Sequence, residues 1–63
     1  DTGLPLVVVS DGRLVPRSLA LLKIAPEDVE NRLKNQSLAV SDVFLMTLDD
    51  CGNTFLQKKE ARR

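Results

Sequence analysis

The sequence predicts an α+β domain of two layers, in which two β-hairpins form a small sheet and one main helix and a short helical segment pack on one of its faces. Two observations lead there. Apolar stretches near each end of the chain, "PLVVV" and "VFLMTLD", each run into a glycine-bearing turn and a shorter return, and the segment between them changes to helical spacing.

Taken in order, Pro5 to Val9 is a β-branched run fit for a buried strand, with Pro5 tolerated at its first position. Asp11-Gly12 follows, a dipeptide suited to the positive-φ positions of a tight hairpin, so Leu14 and Val15 are expected to return as a second strand that Pro16 ends. "RSLALLKI" is too short to mark a full helix and reads as a brief helical or irregular crossover whose leucines belong to the core. "APEDVENRLKN" carries the clearest helical signal. Pro26 suits the first helical position, Glu27, Asp28 and Glu30 complement the positive end of the dipole, and Arg32 and Lys34 suit the other end. Val29 and Leu33, four apart, form its apolar stripe. "NQS" then breaks the helix, and Ser41 is placed to cap a single turn at "SDV". Val43 to Asp49 reads as a strand buried on both faces, since both alternating sets, Val43/Leu45/Thr47 and Phe44/Met46/Leu48, are mostly apolar. Asp50 and Gly52 make the second turn, and Thr54 to Lys59 returns as a strand that becomes polar as it leaves. Residues 1–59 make a single small domain on this reading, and 60–63 a frayed tail.

Sixty-three residues lie near the lower end of what folds on one hydrophobic core, so a partner surface is expected. The core must be aliphatic, because the chain has two Phe and no Trp or Tyr. Nine basic and nine acidic residues cancel, leaving no global field to steer nucleic acid or an anionic membrane. A lone cysteine, Cys51, cannot close an intramolecular disulfide, and a secreted domain this small usually carries several pairs. A reducing compartment is the expectation. No apolar run approaches the ~18 residues of a membrane helix, and no signal-peptide pattern opens the chain. Its start, "DTGLP" without an initiator methionine, reads as a cut from something longer.

Those first three letters, Asp1-Thr2-Gly3, match the triplet that carries the catalytic carboxylate of aspartic proteases. Such an enzyme needs two carboxylates sharing one proton, each on a loop after a strand, and here no strand precedes Asp1 and too little chain follows to build a lobe. Gly3 and Pro5 instead shape the entry to the first strand. "LVPRS" resembles a thrombin linker, but Leu14 and Val15 continue a hairpin already begun. With no histidine in the chain, the usual general base, metal ligand and nucleophile activator is missing. Cys51 follows Asp49 and Asp50, whose negative charge disfavours the thiolate. The two aspartates lack the further oxygen ligands that a hard-cation loop supplies at set spacing. No catalysis, cofactor or metal is expected. Lys58, Lys59, Arg62 and Arg63 make the one basic cluster, a weak candidate patch with no aromatic residue to stack on a base. Nucleic acid is not an expected partner.

Three segments, "GLPLVVVSDGRL", "LKIAPEDVENRLKNQSL" and "VSDVFLMTLDDCGNTFLQKK", resemble in order and spacing the C-terminal domain of the YetF-type membrane proteins of bacteria, a family of unknown function. The resemblance runs from about Gly3 to Lys59. Lys34 stands where that family usually has Arg, Ser37 where Gly is common, and Asp49 where Glu is usual. Any role resting on that Arg is weakened here, because Lys cannot pair bidentately with a carboxylate. The resemblance implies a domain on the cytoplasmic side of the inner membrane, following transmembrane helices absent from this chain, in a protein that self-associates.

The functional expectation is therefore an interaction or oligomerisation domain, whose partner is another copy or the membrane part of its own protein. The alternative is a small-ligand or ion-sensing domain, motivated by the two glycine turns and the acidic pair.

Overall fold

The computed structural model describes residues 4–60. In chain order the elements are β1 (Leu6–Ser10), β2 (Arg13–Leu14), α1 (Pro16–Leu22), α2 (Pro26–Lys34), a 3-10 turn (Val40–Asp42), β3 (Val43–Leu48) and β4 (Thr54–Lys58). The four strands form one antiparallel sheet in the order β2-β1-β3-β4, so the two hairpins meet along β1 and β3. This is the predicted α+β arrangement.

Asp11 and Gly12 form the first turn with φ of 51° and 80°, the paired positive values of a two-residue hairpin whose twist matches its strands. A two-residue loop sets Ser10 opposite Arg13 and Val9 opposite Leu14. The second strand is therefore Arg13–Leu14, not the expected Leu14-Val15. Val15 donates its N–H to the Val8 carbonyl (2.9 Å) and at the same time serves as the extended residue before α1. Pro16 does more than end a strand. Its fixed φ and missing N–H suit the first position of a helix, and the segment expected as an irregular crossover is a seven-residue helix, α1.

Helix α2 matches its sequence signals, with Pro26 at its start, Glu27 and Asp28 in its first turn and Arg32 and Lys34 in its last. Both helices end in the same way. The N–H of Lys23 bonds the Ala20 carbonyl (3.2 Å) while Ile24 bonds Leu19 (3.1 Å), and Ser37 bonds Lys34 (2.9 Å) while Leu38 bonds Leu33 (2.9 Å). These are two Schellman motifs, each followed by an apolar residue, Ile24 or Leu38, that packs against the core. After α2, Ser41 lies inside the 3-10 turn instead of capping it. The Asp42 carboxylate does that work, accepting the Ala39 N–H at 2.9 Å.

The largest departure from expectation is in β3, which is buried on one face only. The helices pack on one face of the sheet, and two β-bulges decide which residues turn toward them. Between β1 and β3 the pairing shifts after Val7↔Thr47 to Val9↔Met46, which inserts Val8, and between β3 and β4 it shifts after Val43↔Lys58 to Leu45↔Gln57, which inserts Phe44. A bulge lets two consecutive residues oppose one partner and so reverses the phase of side-chain alternation. In β1 the result is two successive inward residues, Val8 and Val9, both fully buried. In β3 the inward set becomes Val43, Met46 and Leu48, and Phe44 is left 49% exposed.

Leu19 from α1 and Val29 and Leu33 from α2 pack on those inward residues to complete an aliphatic core. Among the described residues, no buried side-chain nitrogen or oxygen lacks a hydrogen-bond partner. A chain this short has a total stability on the order of 3–9 kcal/mol. Truncating Leu33 or Met46 to alanine, at ~2–5 kcal/mol each, would remove much of it.

Candidate interaction surface

Among the described residues no element covers the face of the sheet away from the helices, and the register fixes what lies on it. Val7 on β1, Thr47 on β3 and Phe55 on β4 are direct cross-strand partners, so they form one row across three strands. Leu45 stands between Ser10 and Gln57 in a second row, with Phe44 beside it at the bulge. No side chain of either row among β1, β3 and β4 is charged. The chain's two aromatic residues are both here: Phe44 is 49% and Phe55 53% exposed.

Each Phe borders a shallow depression. Phe44, Gln57, Lys59 and Glu60 line one of about 320 Å³, and Phe55, Thr47 and Pro5 line part of another of about 150 Å³. Pro5 itself precedes β1, which begins at Leu6, so it shapes the approach to the strand from outside. Beyond Phe55 the sheet ends. Among the described residues β4 pairs with β3 alone, which leaves the backbone groups of its outer edge without a strand partner there.

At the end of the sheet near Phe44, the first turn is fastened to β3. Asp11 and Gly12 donate their N–H groups to the Phe44 and Val43 carbonyls at 2.7 and 2.8 Å. Lys59 crosses above this turn. Its N–H bonds the Asp42 carbonyl (3.0 Å) and its Nζ lies 3.9 Å from Asp11 Oδ1, the one ion pair among the described residues. Lys58, the last residue of β4, pairs with Val43 of β3, and Lys59 follows just beyond the strand. Asp1, Gly3, Arg62 and Arg63 lie outside the described residues.

At the opposite end, Asp49 organises the second turn. Its Oδ1 accepts the N–H groups of Cys51 (3.0 Å) and Asn53 (2.8 Å), and its Oδ2 accepts the Asn53 side-chain amide (3.1 Å). This ends β3 at Leu48, one residue earlier than the sequence suggests. The Asn53 backbone bond, more than any other, holds the Asp49 carboxyl below the ordinary aspartate range, with its side chain and the Cys51 N–H adding to the effect. Gly52 adopts φ 91°, and a Cβ there would meet nothing within 4 Å, so its backbone angle is the whole reason for glycine. Asp50 is exposed beside it, and its charge, followed by that of Asp49, pushes the exposed Cys51 thiol up. One oxygen each from Asp49 and Asp50 and the Cys51 sulfur lie within 4.8 Å of one another. Since three donors within the turn already occupy Asp49, a cation would compete with the hydrogen bonds that shape it.

Both turns and the packing of helices on one face of the sheet are legible in the sequence; the exposure of Phe44 and Phe55 on the other face is not, its one trace being a pair of Phe residues in a chain otherwise built on aliphatics. No described helix is long and apolar enough to cross a membrane. Comparison of the chain with protein-family models, curated proteins and solved structures finds no significant match.

Proposed function

We propose that this chain is a non-enzymatic interaction domain that associates with copies of itself through the open face of its sheet. The observation carrying the proposal is that both aromatic side chains stand about half exposed on one sheet face, whose rows across β1, β3 and β4 carry no charge and whose charged groups, Arg13 and Lys59 among them, lie toward its margins, while the core is aliphatic. Aromatics are enriched at protein interfaces because they bring large apolar area at low conformational cost. An antiparallel sheet can leave one face to water, but that face is then usually polar. Here Val7, Phe44, Leu45 and Phe55 make it largely apolar.

Three strands of five or six residues and a fourth of two give a face of roughly 300 Å² in projection. That is smaller than the ~800 Å² per partner of a standard stable complex. Association through it is weak on its own and gains from any tether that raises the local concentration. The resemblance to the YetF-type C-terminal domain supplies such a tether, and we propose that the domain works on the cytoplasmic side of a bacterial inner membrane, attached to membrane helices in the same protein. Fractionating native cells and probing with an antibody against this domain tests that setting. A membrane-pellet band well above the mass of a 63-residue chain is expected, and a soluble band near that mass would overturn it.

A further inference from the structure

We draw no further inference here: the strongest candidate, the depression between Phe44, Gln57, Lys59 and Glu60 at one end of the open sheet face, belongs to the surface already described, and nothing in the structure shows what other group would cover it.

Discussion

Lys23 and Ser37 occupy equivalent positions at the ends of α1 and α2, each in the left-handed region with φ of 60° and 61°, where the Schellman motif favours glycine. An L-residue there costs roughly 1–2 kcal/mol in the folded state. Glycine removes that cost but restores ~0.4–1 kcal/mol of freedom to the unfolded chain. Lys23→Gly and Ser37→Gly are each expected to stabilise by about 0.5–1 kcal/mol, raising the melting temperature by about 2–8 °C. Thermal unfolding followed by circular dichroism reads this directly. A lower melting temperature in either variant would mean that the lost side chain contributes more than its backbone costs.

Gly12 is required by its φ of 80°, and its surroundings are close as well. A Cβ there would stand 2.8 Å from Lys59 Nζ and 3.4 Å from the Ser41 Cα. The lysine end can swing away, so the backbone angle dominates. Gly12→Ala is expected to destabilise by about 1–2 kcal/mol. Adding Lys59→Ala should recover little of that loss in a double-mutant cycle. Full recovery would instead identify the clash with the lysine as the cause.

Asp49 makes stability depend on pH. Its carboxyl is held below the ordinary aspartate range in the folded state, so the unfolded chain binds a proton first as pH falls. The contribution is present in full above the unfolded value of about 4 and is lost as pH drops through the lower folded value. Asp49→Asn should flatten the acid limb of a stability-versus-pH curve below about pH 4. An unchanged limb would show that another carboxylate carries it.

How far the sequence could be read depended on whether a signal was local. Asp11-Gly12 demands positive φ from two adjacent residues, and Pro26 with its acidic neighbours marks a helix start, so both elements were legible from a few letters. Pro16 was ambiguous, because the same locked φ that ends a strand also begins a helix, and only the docking of Leu19 into the core decides between them. The bulges were illegible. A strand with two apolar alternating sets looks buried on both sides, and nothing in "VFLMTLD" says that one residue is inserted at Phe44. That insertion depends on pairing with β4 and on the turn N–H groups that hold the Phe44 and Val43 carbonyls. The acidic turn was visible as a turn, but the three hydrogen bonds to Asp49 follow from where Asn53 returns.

The open face carries the functional account, and its most direct test is sedimentation equilibrium of this chain over a wide concentration range, beside the Phe44→Ser/Phe55→Ser double variant. Both side chains lie outside the core, so the variant should stay folded by circular dichroism and melt within about 10 °C of the native chain, a loss of roughly 1 kcal/mol or little more. The average mass of the native chain is expected to rise with concentration, and the folded variant to stay monomeric throughout. A native chain that remains strictly monomeric at the highest concentration, or a variant that associates equally well, would contradict it.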